Sequence, residues 1–197
     1  MSVYDNIECV NRKSMVMFFL IDTSESMAGR SIAQLNDAIR EITQNIKAVS
    51  DSNPDTCIKL AMMDFSDNPK WITPKPQELS EIKWSDLSTG GEMNMGKAFI
   101  ELNKKLNRNE FLNETAGMWA PVIILLTDGA SDDNYKKGIE ELNQNKYFQK
   151  SLKIALGTEN ANMSVLQEFT GSKDTAIYIK DKALVKRFLR NQFHPFL

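Results

Sequence analysis

The sequence predicts an α/β fold, a doubly wound and mostly parallel Rossmann-like sheet with helices on both faces. Two near-continuous apolar runs, residues 15–21 and 121–127, each end abruptly in an acid, Asp22 and Asp128. Such runs are how strands covered on both faces read. Around them, segments of strand and helix character alternate along the chain, which is the pattern of parallel strands joined by crossover helices. With 197 residues and 42% hydrophobic content, the chain is long enough for one well-buried core. No stretch rich in Pro, Gly and Ser divides it, so one domain over 1–197 is expected, with its core at about 14–190.

The first strand, Met15 to Ile21, runs into Asp22-Thr23-Ser24-Glu25-Ser26-Met27. Asp22, Ser24 and Ser26 place hard oxygen donors at alternate positions, a set that suits Mg²⁺ or Mn²⁺ better than a soft metal. Ser31-Ile32-Ala33-Gln34 has the form of a capping box, and Ile32, Leu35, Ile39, Ile42, Ile46 and Val49 then recur in steps of three and four. A long amphipathic helix is expected there. Asn53-Pro54-Asp55 breaks it, Cys57 to Phe65 reads as a second strand, and Lys70 to Thr73 as a short edge strand closed by Pro74 and Pro76.

Beyond Gly90-Gly91-Glu92, the residues Met95, Ala98, Phe99, Leu102 and Leu106 mark a second helix, with Glu101 and Lys105 spaced for an exposed ion pair. The second buried strand ends at Thr127-Asp128-Gly129, and Ser131-Asp132-Asp133-Asn134 reads as the cap of a helix over 134–146. A strand at 152–157, a short helix near 163–170, a strand at 176–179 and a last helix carrying Leu184, Val185, Phe188 and Leu189 complete the alternation.

Several function classes are disfavoured by composition. A net charge of −2 and a pI near 5.6 argue against a general nucleic-acid binder, which needs clustered cations; Lys104-Lys105 and Lys136-Lys137 read as solvated helix faces. The apolar run at 15–21 is too short to span a bilayer and ends in Asp22 instead of a cleavage site. No membrane association and a cytoplasmic location are therefore expected. Cys9 and Cys57 make neither a disulfide framework nor a zinc site, and both are expected to be reduced. The lone His194 reads as structural.

In a doubly wound sheet, ligands bind outside the carboxyl ends of the strands where strand order reverses. The loops carrying Asp22, Ser24 and Ser26, Gly90-Gly91-Glu92, and Asp128 are expected to converge there. An aspartyl-phosphate phosphohydrolase would want a second acid at position 24 to handle the leaving-group proton, and Ser24 stands there. A Ser-His-Asp hydrolase lacks a suitable histidine and a Gly-x-Ser-x-Gly turn, and the first loop offers no Gly-x-Gly-x-x-Gly for a pyrophosphate.

In motif order and in its alternation of elements, the chain from about 14 to 190 resembles the von Willebrand factor A fold with its metal-ion-dependent adhesion site. The resemblance implies that Asp22, Ser24, Ser26 and Asp128 hold Mg²⁺ or Mn²⁺, the serines as neutral ligands and the aspartates largely through water. The ion is then left electrophilic toward a carboxylate of a partner protein. In its compact form and its Leu-Ile-Asp-Thr-Ser-Glu-Ser-Met and Leu-Thr-Asp-Gly loops, the chain looks most like bacterial A-domain proteins of tellurite-resistance and stress operons. One departure stands out: the family places a threonine after the Gly-Gly of its second loop, and here that residue is Glu92. A third carboxylate either replaces the partner's ligand or shuts the site, or it points to solvent while Thr89 or Asn94 serves instead. The reading that follows is a non-enzymatic, metal-associated protein-interaction module, with a Mg²⁺/Mn²⁺-dependent phosphoesterase and a metal-free scaffold as alternatives.

Overall fold

The computed structural model describes residues 12–52, 55–130 and 135–181. Strand β1 (Lys13–Asp22) is buried along its length except at Lys13, and β5 (Val122–Thr127) is buried throughout. Side chains on both faces of these strands are apolar, so they can only be central, and each is flanked by strands on both sides. The seven-stranded sheet has the order β3-β2-β1-β5-β6-β7, with β4 (Gln77–Glu78) also pairing with β2 (Thr56–Phe65). β1, β2, β5, β6 (Leu152–Gly157) and β7 (Ala176–Tyr178) run parallel, while β3 (Lys70–Trp71) and β4 pair antiparallel to β2.

Side-chain alternation along β1 divides the core into two layers. Met15, Met17, Phe19 and Ile21 pack against Leu35, Ile39, Ile42 and Ile46 of helix α1 (Arg30–Ser52). Val16, Phe18 and Leu20 face the opposite layer, with Ala98, Phe99 and Leu102 of α2 (Met95–Lys105), Ile139 and Leu142 of α3 (Tyr135–Asn143), Phe148 of α4 (Lys146–Lys150) and Leu166 and Phe169 of α5 (Met163–Thr170). The chain goes from β1 through α1 to β2 on one side, then returns through α2 on the other face to β5 on β1's far side. Strand order therefore reverses between β1 and β5, and the carboxyl ends of these two strands are where such a sheet binds ligands.

The structure corrects several expectations. Helix α1 begins at Arg30, so Ser31 lies inside its first turn and does not precede it as a cap. The helix expected over 134–146 ends at Asn143, and a further short helix follows it, because Asn145 leaves helical geometry and its side chain accepts the Tyr147 N–H to start α4. Glu101 pairs with Lys104 at 3.2 Å and accepts the Trp71 Nε1–H at 3.1 Å, while Lys105 pairs with Glu110 at 2.8 Å, so no Glu101–Lys105 pair forms. Cys57 is disulfide-bonded, against the expectation of a reduced thiol. Cys9, His194, the cap at 131–134 and the last helix at 184–189 lie outside the described residues. Among those that are described, no helix is long and apolar enough to cross a membrane.

Candidate metal centre

The parallel register of β1 and β5 pairs Ile21 with Leu126, so the residues that follow, Asp22 and Thr127, come side by side on the opposite face. Both are fully buried, and the Thr127 hydroxyl donates to Asp22 Oδ2 at 2.6 Å. The other carboxylate oxygen is satisfied from the first loop: Ser24 Oγ donates to Asp22 Oδ1 at 2.6 Å and the Ser24 N–H donates to it at 3.0 Å. Burial pushes the Asp22 carboxyl above its ordinary range; donation from Ser24 and Thr127 pulls it back, and the charge of Asp128 pushes it further up.

The loop after β1 is pinned at three points. Met27, at the end of a 3-10 turn over Glu25–Met27, is buried against the α1 layer. The Thr23 N–H donates to the Phe65 carbonyl at 2.9 Å, and the Glu25 N–H donates to the Gly91 carbonyl at 3.0 Å. Ser26 Oγ is thereby held 3.0 Å from Ser24 Oγ. Since the single Ser24 proton goes to Asp22, Ser26 is the donor of that pair, and lone pairs of both hydroxyls stay available.

Asp128 begins the loop after β5. Its Oδ1 accepts the Ala130 N–H at 3.0 Å and its carbonyl accepts the Asn162 N–H at 2.7 Å, which fixes the turn. The Thr127 hydroxyl also accepts the Gly129 N–H at 2.9 Å, so it is bonded on both sides. The structure therefore brings Asp22, Ser24, Ser26 and Asp128 to one rim. Glu92 lies on the neighbouring loop, exposed, with its N–H donating to Asp67 Oδ1 at 2.8 Å. Among the described residues no three His, Cys, Asp or Glu side chains assemble to hold a metal, so Glu92 does not join Asp22 and Asp128 as a third carboxylate.

Two residues have a role that the sequence did not assign. Thr127 stands in the Thr127-Asp128-Gly129 loop expected at the rim, and the part its hydroxyl plays shows only once the register with Asp22 is known. Asp67 lies in the turn after β2, and its role shows only when the loop at 90–92 folds over it.

The donor set fits a small hard cation. Oxygens about 2.1 Å from Mg²⁺ at adjacent octahedral corners lie about 3.0 Å apart, and Ser24 Oγ and Ser26 Oγ have that separation.

The match to the family model for the von Willebrand factor type A domain covers residues 17–191. Similar solved structures include the pilus adhesin SpaC from Lactobacillus rhamnosus GG (14% identity, TM-score 0.67, 94% of this chain and 30% of that one). A von Willebrand factor type A protein from Catenulispora acidiphila matches at 16% identity and TM-score 0.59, over 91% of this chain and 42% of that one. Proximal thread matrix protein 1 from the mussel byssus, solved with a zinc-occupied MIDAS motif, matches at 15% identity and TM-score 0.59, over 91% of this chain and 45% of that one. This chain spans less than half the length of each of the three, and at such identities the likeness is one of fold. With the family match running through nearly all of the doubly wound sheet and both of its rim loops, the chain belongs to the von Willebrand factor type A domain family.

Proposed function

We propose that the chain is a non-enzymatic protein-interaction module that holds Mg²⁺ or Mn²⁺ through Ser24 and Ser26, with Asp22 and Asp128 as the balancing charges. The observation that carries this reading is the buried Asp22, whose two oxygens take the hydroxyl protons of Ser24 and Thr127 at 2.6 Å each. That arrangement aims the Ser24 lone pairs outward as a neutral donor beside Ser26. The cation, when bound, supplies an electrophilic coordination position to which a carboxylate of a partner protein binds. Asp22 supplies charge from behind the hydroxyls and holds Ser24 in place. A zinc-occupied site in a protein of this fold and an adhesin among the structural relatives support the same reading.

The non-catalytic part rests on the same carboxylate. A nucleophilic Asp needs a free, accessible oxygen and a nearby acid for the leaving group; Asp22 is buried and doubly engaged, and position 24 is a serine. Turnover of a generic phosphate ester that requires Mg²⁺ and disappears in Asp22→Asn would overturn that part. The finer assignment, to a bacterial stress-response or tellurite-resistance assembly, follows the style of the two loops and is tested by identifying the bound protein in the native cell.

Titration calorimetry with Mn²⁺ tests the metal reading. The wild-type chain is expected to bind one ion, and Ser24→Ala/Ser26→Ala to lose that binding while keeping its circular dichroism. Equal binding by the two proteins would refute it.

A further inference from the structure

The loop at 90–92 is fastened to the serine loop by its backbone. The Gly90 N–H donates to the Thr23 carbonyl at 2.9 Å, and the Gly91 carbonyl accepts the Glu25 N–H at 3.0 Å. From the other side, Asp67 Oδ1 accepts the Glu92 N–H at 2.8 Å. The Asp67 carboxylate lies so close over Gly91 that a Cβ there would stand 2.5 Å from Oδ2, and Gly91 has φ of +82°, so only glycine fits beneath it. Lys97 Nζ donates to the Asp67 carbonyl at 2.9 Å and ties this turn to the first turn of α2. The backbone of residue 92 is thus fixed beside Ser24 and Ser26, while its side chain is exposed and its carboxylate stands apart from Asp22 and Asp128.

Electrostatics gives that standoff a sense. A third carboxylate is repelled from a rim that already carries Asp22 and Asp128 unless a divalent cation lies between them. With +2 in place the sign reverses, and the Glu92 carboxylate is drawn toward the rim. Resting on the metal reading above, we propose that Asp67 and Glu92 form a tethered carboxylate arm: Asp67 fixes the backbone of residue 92, and the Glu92 carboxylate turns in to cap the cation held by Ser24 and Ser26. A tethered group competes at an effective concentration on the order of millimolar. An acidic partner therefore engages the site only by displacing Glu92, which selects for partners that present their carboxylate on a large complementary surface over free acids. Asp67 is a positioning residue in this scheme.

The test uses the full chain, Mn²⁺ and glutarate as a free dicarboxylate. Mn²⁺ affinity comes from calorimetry, and the water bound to the ion from the relaxation enhancement of solvent protons. Glu92→Ala is expected to bind Mn²⁺ about five-fold more weakly, the size of one partly solvated charge contact. Its bound ion should carry more water, which glutarate displaces, whereas in the wild type glutarate changes little. Asp67→Ala should move in the same direction, and Asp67→Asn, which keeps an acceptor for the residue 92 N–H, should stay near wild type. Unchanged affinity and hydration in Glu92→Ala, or tighter binding, would overturn the arm while leaving the metal reading intact. So would Asp67→Ala behaving as wild type. Absence of Mn²⁺ binding by the wild type would instead overturn the metal reading itself.

Discussion

A carboxylate as deeply buried as Asp22 is tolerated only when both of its oxygens are satisfied, and in this chain hydroxyls supply the donors. Thr127 is the more consequential of the two, because its hydroxyl gives its proton to Asp22 and accepts the Gly129 N–H. Thr127→Val keeps the shape and removes both bonds. It is expected to lower stability by about 1–3 kcal/mol, the range for leaving a buried polar group unpaired. It should also weaken Mn²⁺ binding, because Asp22 is no longer held in register with Ser24. Urea unfolding and Mn²⁺ titration of Thr127→Val beside Thr127→Ser separate the hydroxyl from the methyl; Thr127→Val as stable as wild type would show that the hydroxyl contributes nothing.

Among the elements, the contact between α2 and α3 depends on a missing side chain. A Cβ on Gly138 would stand 2.9 Å from the Gly96 carbonyl oxygen and 2.9 Å from Phe99 Cβ. Gly138→Ala must therefore push α3 off α2 and disturb Phe99, whose ring stacks on Phe169 at 5.2 Å. A loss of about 1–3 kcal/mol is expected, as for other overpacked cores, outweighing the gain in helix propensity; a thermal midpoint equal to or above wild type would contradict this. On β6, burial pushes the Lys153 ammonium below its ordinary value. For a lysine so depressed, the folded state binds fewer protons than the unfolded state between the two pKa values. Stability from this group is therefore present above the ordinary value near 10.4 and is lost as pH falls through the folded pKa. The stability of Lys153→Met relative to wild type should accordingly fall as pH rises toward the ordinary lysine value, and a difference independent of pH would show that Lys153 is not desolvated.

At the scale of the whole molecule, the sheet was legible because β1 and β5 carry apolar residues on both faces and so had to be central. The first-loop donors were legible because an acid and two serines follow a buried strand at alternate positions. Other parts were not, for physical reasons. Asn145, two residues beyond the end of α3, starts α4 through its own side chain, a local hydrogen bond that the apolar periodicity of 134–146 passes over. β4 is two residues long and is made by pairing with β2 at Lys59 and Leu60, which no local pattern announces. Thr127 and Asp67 became visible only through contacts with residues 105 and 25 positions away. Glu92 was noticed as a residue type, but its relation to Asp22 and Asp128 depends on how the loop at 90–92 lies on Asp67.

All of these features bear on whether the rim between β1 and β5 holds a hard cation. The most direct measurement is the anomalous difference density of a crystal grown with Mn²⁺. The account predicts a peak within ligand distance, about 2.0–2.3 Å, of both Ser24 Oγ and Ser26 Oγ, with Asp22 and Asp128 arranged around it and no such peak in Ser24→Ala/Ser26→Ala. Mn²⁺ peaks elsewhere on the molecule with none between the two serines would contradict it.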